Sequence, residues 1–112
     1  MVRLLATLDE YKEEIKSSKL VVIDFTASWC PPCQMIAPKF AELSEKVKDK
    51  ATLVKIDVDD NSAASEAAEI SCMPTFQFYK DGNKIHEIQG ANIDAVTQAI
   101  EQFAWLNPSS LK

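Results

Sequence analysis

The sequence has few cysteines, no excess of basic residues and no long apolar run. Its three cysteines are an odd number and too few for a secreted domain held together by disulfides, so we expect a reducing compartment. A formal net charge of −5 without a basic patch argues against nucleic-acid binding. The longest apolar stretch is too short to span a bilayer, and the first residues lack the apolar segment of a signal peptide. These absences favour a cytoplasmic protein with no membrane or nucleic-acid partner.

A chain of 112 residues has room for one domain with one hydrophobic core. We expect that domain over residues 1–106, followed by a polar tail over 107–112. Hydrophobic periodicity predicts strands over 2–5, 20–27, 51–58, 75–79 and 84–89, with the last two antiparallel. It also predicts helices over about 7–18, 32–47, 61–70 and 92–103. This order predicts an α/β fold, a three-layer α/β/α sandwich with a mixed central β-sheet.

Cys30 and Cys33 stand three residues apart, where the apolar strand over 20–27 gives way to a helical pattern. Two cysteines at this spacing can close a small disulfide and release it again. A helix N-terminus offers unpaired N–H groups and the positive end of the helix dipole, so Cys30 should carry a stable thiolate. A Cys-x-x-Cys pair in a β-α-β pattern is typical of a redox motif.

Half of a zinc site is the alternative interpretation of this pair, with Cys72 and His86 completing four ligands. Structural zinc sites usually bring paired ligands at short spacing, whereas Cys72 and His86 each stand alone. We therefore predict redox chemistry and no metal, and place His86 at the surface of the hairpin.

Asp24 lies inside the apolar strand, between Ile23 and Phe25, so its carboxyl group should be buried beneath the cysteines. Desolvation would raise its pKa, which suits a group that exchanges a proton with Cys33. The other interpretation of Asp24 is a solvated acid at a strand end.

Several segments in a consistent order resemble the thioredoxin family, closest to the cytosolic thioredoxins of animals. The resemblance extends from Val2 to about Ala104. The segments that carry it are Val22–Phe25, Trp29–Cys33, Pro38, Asp57–Asp60, Cys72–Phe78, Asp81–Gly82 and Gly90–Asn92.

The resemblance implies that Cys30 is the attacking thiolate, Cys33 the resolving thiol and Asp24 the buried acid behind them. It places Lys55 on a strand beside Asp24 as its charge partner, although an ordinary surface lysine is an open alternative. Lys55 and Asp59 are expected to support the site structurally.

Substrate contacts are expected from residues around the cysteines. Trp29 precedes an exposed nucleophile at a corner, so we interpret it as a contact platform for the substrate polypeptide. An ordinary X–Pro bond would be trans, but the resemblance implies a cis Met73–Pro74 bond whose backbone pairs with an extended substrate strand. The predicted substrate-binding residues are Trp29, Pro31, Pro32, Met73, Pro74 and Gly90.

The chain departs from the family pattern at two places. Pro31 stands where the family usually has glycine, and residues Trp105–Lys112 extend past the usual end. Cys72, just before the substrate edge, is either a small buried hydrophobic residue or a regulatory thiol at the rim of the docking surface. An exposed Cys72 can link two otherwise monomeric molecules under oxidation.

The function predicted from these residues is that of a protein disulfide reductase without a bound cofactor. The resemblance implies electrons from NADPH through a thioredoxin reductase. It also implies clients such as ribonucleotide reductase, peroxiredoxin and methionine sulfoxide reductase. The alternatives are tryparedoxin-like or disulfide-isomerase-like exchange, and a redox-silent binding module that keeps the fold.

Overall fold

The computed structural model describes residues 2–105, which form a β-sheet covered by helices on both faces. The strands are β1 (Arg3–Leu4), β2 (Leu20–Thr26), β3 (Ala51–Asp57), β4 (Thr75–Lys80) and β5 (Asn83–Gln89). The helices are α1 (Leu8–Glu14), α2 (Pro31–Lys46), α3 (Ser62–Ala67) and α4 (Ile93–Phe103). The tail predicted over 107–112 lies outside the described residues.

The sheet is mixed, with the strand order β1-β3-β2-β4-β5. β1 and β2 both run parallel to β3, whereas β4 runs antiparallel to β2 and to β5. β2 is therefore central, with hydrogen-bonded neighbours on both sides. The predicted three-layer architecture with a mixed sheet is confirmed.

Residues of β2 alternate between two apolar cores. Leu20 and Val22 pack with α2 and α4 on one face, whereas Val21, Ile23 and Phe25 pack with α1 and α3 on the other. Both faces are covered, which explains why the sequence of β2 lacks the apolar–polar alternation of a half-exposed strand. Within the described part of the chain, no helix is long and apolar enough to cross a bilayer.

The predicted helix starts are confirmed by their caps. The Thr7 hydroxyl accepts a hydrogen bond from the Glu10 N–H at 3.1 Å. The side chains of Asn61 and Asn92 cap α3 and α4 in the same way. Two helix ends are wrong, because α1 ends at Glu14 instead of residue 18 and α3 ends at Ala67 instead of residue 70.

The early end of α3 is produced by a left-handed residue. Glu69 has φ 59° although it is not glycine. The N–H of Glu69 donates to the Glu66 carbonyl, and the N–H of Ile70 donates to the Ser65 carbonyl, both at 3.1 Å. These two bonds form a Schellman motif, which satisfies the last carbonyls of a helix and usually has glycine at the left-handed position.

We expect Glu69→Gly to stabilise the protein by roughly 0.5–1 kcal/mol. Glycine adopts this conformation without the steric cost of a Cβ atom, although it also adds some freedom to the unfolded chain. Urea unfolding of both proteins measures the difference. The matched control is Glu66→Gly inside α3, which should destabilise by about 1 kcal/mol. Equal losses in both variants would contradict the assignment of Glu69 as a strained helix terminator.

Candidate active site

The predicted redox motif lies where β2 turns into α2. Cys30 has an extended backbone and caps the helix, and Pro31 and Pro32 occupy its first two positions. Neither proline has an N–H, so Cys33 is the first residue of α2 that can donate a backbone hydrogen bond. Its N–H donates to Cys30 Sγ at 3.3 Å. The two cysteines form a disulfide, with their Cα atoms 5.3 Å apart.

The two sulfur-bearing residues differ in access to solvent. Cys30 is 5% exposed and Cys33 is 0% exposed. Both pack with Ala27, and Val58 and Met73 cover this cluster. Cys30 is less exposed than expected for the nucleophile, because this apolar cluster covers most of its surface. Cys30 nevertheless retains a small exposed surface, whereas Cys33 has none.

The loop before β4 closes one side of this small opening. The Met73–Pro74 peptide bond is cis, as the resemblance implied. The Met73 carbonyl oxygen lies 3.7 Å from Cys30 Sγ. Gly90 donates its N–H to the Pro74 carbonyl at 2.9 Å, which joins the loop to the end of β5. Gly90 has φ 99°, so backbone conformation favours glycine there, while the space around it is open.

Trp29 lies on another side of the opening, with 63% of its surface exposed. Its indole N–H donates to Asp59 Oδ2 at 2.7 Å. Asp59 is itself positioned by Asp57 at the end of β3, whose Oδ1 accepts the N–H groups of Asp59 and Asp60. The strand end thus orients the indole ring. Asp59 was expected to support the site structurally, but nothing in the sequence signals its contact with Trp29.

Asp24 is buried in β2 on the face covered by α2, with 3% of its surface exposed. Among residues 2–105, its Oδ1 is the one buried side-chain nitrogen or oxygen that lacks a hydrogen-bond partner. Lys55 is paired with Asp24 in the register of β2 and β3, and its side chain is exposed. The predicted burial of Asp24 and the neighbouring position of Lys55 are confirmed.

A crevice connects Asp24 with the surface. It has a volume of about 270 Å³, and its lining includes Ser28, Gln34, Lys55 and Asp57. Burial raises the pKa of Asp24 from its ordinary value of 3.8 to about 7, while the charge of Lys55 opposes part of the rise. Asp24 can therefore gain and lose a proton near neutral pH.

The residues suggested for a zinc site are not brought together. His86 packs on the rings of Phe78 and Phe103, with centroids 5.3 and 5.0 Å away. It is half-buried on the edge strand β5. Cys72 is also half-buried, and its Sγ lies 3.6 Å from the Thr75 hydroxyl. Over residues 2–105, no group of three or more potential ligands is arranged to hold a metal ion.

The comparisons with known proteins agree with this geometry. The family model described as Thioredoxin matches residues 2–102. The chain belongs to the thioredoxin family. A thioredoxin from Ophiophagus hannah is 43% identical over 105 residues, which are 92% of this chain and 99% of that protein. A thioredoxin from Geodia cydonium is 45% identical, covering 91% of this chain and 98% of that one.

Solved structures of thioredoxins are similar as well. The Malassezia sympodialis thioredoxin superposes with a TM-score of 0.88 at 39% identity, covering 92% of this chain and 93% of that one. Like its relatives, this protein is a thiol–disulfide oxidoreductase, and the Cys30–Cys33 disulfide is its redox-active pair.

A second feature beside the cysteines was also missed from the sequence. Met35 is 74% exposed, immediately after the first turn of α2. The buried stripe of α2 includes Ile36, Phe40 and Leu43, and Met35 does not belong to it. The sequence does indicate this feature, because Met35 is a large apolar residue that falls outside the apolar stripe of an amphipathic helix.

We expect Asp24→Asn to be more stable than wild type at pH 8, by up to about 4 kcal/mol. Above pH 7 the folded wild type holds a buried charge that the amide lacks. Well below pH 3.8, the ordinary pKa of the unfolded carboxyl group, wild type is protonated in both the folded and the unfolded state, so the difference should disappear. Urea unfolding between pH 3 and pH 8 measures this dependence. Asp49→Asn, at an exposed position, serves as the control. A difference that stays constant with pH would contradict the burial argument.

Proposed function

We propose that this protein works as a protein disulfide reductase in which Cys30 attacks and Cys33 resolves. The observation that carries the proposal is the unequal exposure of the two cysteine residues, since Cys30 retains a small exposed surface and Cys33 has none. The hydrogen bond from the Cys33 N–H to Cys30 Sγ adds to it, because such a donor stabilises a thiolate at the helix start.

The proposed reaction has two steps. The Cys30 thiolate attacks one sulfur of the client disulfide, and a mixed disulfide forms while the other client sulfur leaves as a thiolate. Cys33, as a thiolate, then attacks Cys30 Sγ and releases the second client sulfur. Two electrons pass to the client, whose sulfurs end as two thiols, and the Cys30–Cys33 dithiol becomes a disulfide.

Asp24 is proposed to accept the Cys33 proton before the second step. Its pKa near 7 allows it to be ionised and protonated at the pH of the reaction. The crevice beside Asp24 gives that proton a route to solvent. Lys55 favours the ionised form and Asp59 holds Trp29, which is the structural support proposed for both residues.

The proposed substrate contacts surround Cys30. Trp29, Pro31 and Pro32 present exposed surface beside it, and a client strand would pair with the backbone at Met73. The Met73 carbonyl lies 3.7 Å from Cys30 Sγ, which supports this placement. Pro74 is buried, so we propose that it shapes the loop, with Gly90 leaving the opposite side open.

The electron source is proposed to be NADPH, through a thioredoxin reductase, with no cofactor bound to this chain. Ribonucleotide reductase, peroxiredoxin and methionine sulfoxide reductase are the proposed clients. One structural relative, 36% identical with a TM-score of 0.85, comes from work on a yeast mitochondrial 1-Cys peroxiredoxin and glutathione/thioredoxin systems.

We further propose that the protein is of the animal cytosolic subtype with a Cys-Pro-Pro-Cys motif and that it is located in the cytoplasm. Its proposed organisation is a monomeric domain over 1–106 and a tail over 107–112. Oxidation is proposed to link two molecules through Cys72.

Cys30→Ser should abolish the reduction of insulin by NADPH and thioredoxin reductase. Cys33→Ser should instead accumulate mixed disulfides, because the resolving thiol is missing. Cys72→Ser keeps the dithiol and is the matched control, which should still turn over. Insulin turbidity and non-reducing gels provide the two readouts. Faster alkylation of Cys33 than of Cys30 in the reduced protein at pH 7 would reverse the assigned roles.

Pro31→Gly should make the protein a weaker reductant by up to about 30 mV, or ~1.4 kcal/mol for two electrons. The glycine provides an N–H next to Cys30 that can stabilise its thiolate and hence the reduced form. It also loosens the open dithiol, which favours reduction further. Equilibration of both proteins with glutathione buffers measures the potential, and a more negative value for Pro31→Gly would contradict the argument.

A further inference from the structure

An apolar groove extends from the redox site along α2. It has a volume of about 400 Å³ and is lined by Pro32, Met35, Ile36, Lys39, Ala91 and Ile93. Pro32 stands between the two cysteines, so the groove is continuous with the place where a client disulfide must react. Its lining includes neither Met73 nor Pro74, so it is separate from the strand-pairing edge.

Met35 is the main apolar surface of this groove. Its side chain is 74% exposed and lies on the solvent side of α2. An apolar client side chain placed on it would remove surface from water, which is favourable by about 25 cal/mol per Å². The groove therefore fits an apolar residue close to the reacting cysteine.

Lys39 brings a positive charge to the far part of the groove. Within the described residues it forms no ion pair, although the chain is acidic overall with a net charge of −5. Glu42, one turn further along α2, pairs with Lys46 at 3.0 Å instead. The Lys39 ammonium group is thus available to a carboxylate that enters the groove.

The opposite side of Cys30 carries the other sign of charge. Asp59 and Asp60 are exposed there, next to Trp29. A client strand that crosses the site consequently meets carboxylates on one side and Lys39 on the other. This polarity favours one orientation of a client with an acidic flank.

The spacing along α2 sets the position of that acidic residue. Lys39 is seven residues after Pro32, or about 10 Å along the helix axis at 1.5 Å per residue. An extended client chain covers this distance in about three residues.

Resting on the proposed reductase function, we infer that this groove selects client segments. A preferred client carries a large apolar residue next to its reacting cysteine, to pack on Met35. It carries an acidic residue three positions from that cysteine, to pair with Lys39. Met35 and Lys39 are then specificity-determining residues of the reaction described above.

Single-turnover reduction of short peptide disulfides tests the inference without a reductase. Each symmetrical disulfide joins two copies of a peptide with one cysteine. The leucine–glutamate peptide has leucine next to the cysteine and glutamate three positions from it. The leucine–lysine peptide has lysine in place of the glutamate. The serine–glutamate peptide has serine in place of the leucine. Each peptide is made in two versions, one with these residues before the cysteine and one with them after it. A small aromatic disulfide without flanking residues serves as the reference substrate.

In one of the two flank orders, wild type should reduce the leucine–glutamate peptide with a second-order rate constant about fivefold higher than that for the leucine–lysine peptide. Lys39→Glu should reverse this ratio. Lys12→Glu changes the net charge equally on α1, away from the groove, and should retain it. Met35→Ser should remove the advantage of leucine over serine, which we expect to be about threefold.

Failure of the inference can be distinguished from failure of the proposed function. If wild type does not reduce even the small aromatic disulfide, the reductase function itself is wrong. If it reduces that compound and treats all peptides alike in both orders, only the groove inference is overturned. A charge preference that Lys39→Glu leaves unchanged overturns it as well. Each result is a ratio of rate constants for two peptides on the same variant. A loss of folded protein lowers both rate constants equally and therefore leaves the ratio unchanged.

Discussion

β2 pairs with β3 on one side and with β4 on the other, while helices cover both of its faces, so a polar group on this strand is largely removed from bulk water. Asp24 stands in the middle of it. Elsewhere in the core, the protein satisfies its buried polar side chains: the Gln77 amide, 0% exposed, donates to the Ala68 carbonyl and to Glu87, and accepts a hydrogen bond from the Tyr79 hydroxyl. The unpaired Asp24 oxygen is therefore an exception in a core that otherwise follows the rule for buried polar groups. Asp24 therefore carries an unfavourable desolvation on the strand that leads directly to Cys30.

Much of the fold and the centre of the site could be predicted because each rests on local chemistry. The apolar sequence of β2, the asparagine and threonine caps and the Cys-x-x-Cys spacing all act over a few residues. The missed features depend on residues distant in sequence or on conformation that side-chain identity does not favour. The Trp29–Asp59 hydrogen bond joins residues 30 positions apart. Glu69 ends α3 with a left-handed backbone that glycine would have signalled, and His86 is covered by a ring from the distant helix α4.

The loops around Cys30 are anchored at the ends of strands. Asp57 ends β3 and positions Asp59, which accepts the hydrogen bond of Trp29. Gly90 follows β5 and donates its N–H to the Pro74 carbonyl. The central strand β2 leads directly to Cys30. Strands β3, β2 and β5 thus contribute one side each to the opening around the sulfur atom, with β4 lying between β2 and β5 in the sheet. A rigid sheet can in this way position loop residues that would be mobile on their own. The groove along α2 adds a fourth side, formed by a helix whose first turn contains the reactive pair.

The two prolines that open α2 also determine how the site can be observed. Pro31 and Pro32 have no amide proton, so an amide spectrum of this segment passes directly from Cys30 to Cys33. The Cys33 amide is bonded to Cys30 Sγ, the atom whose charge and bonding change in every catalytic cycle. The neighbouring Gln34 amide is bonded to the Cys30 carbonyl at 3.1 Å and belongs to the ordinary helical pattern. The Cys33 amide resonance should therefore follow the oxidation state of the disulfide, and the Gln34 amide resonance serves as its internal reference.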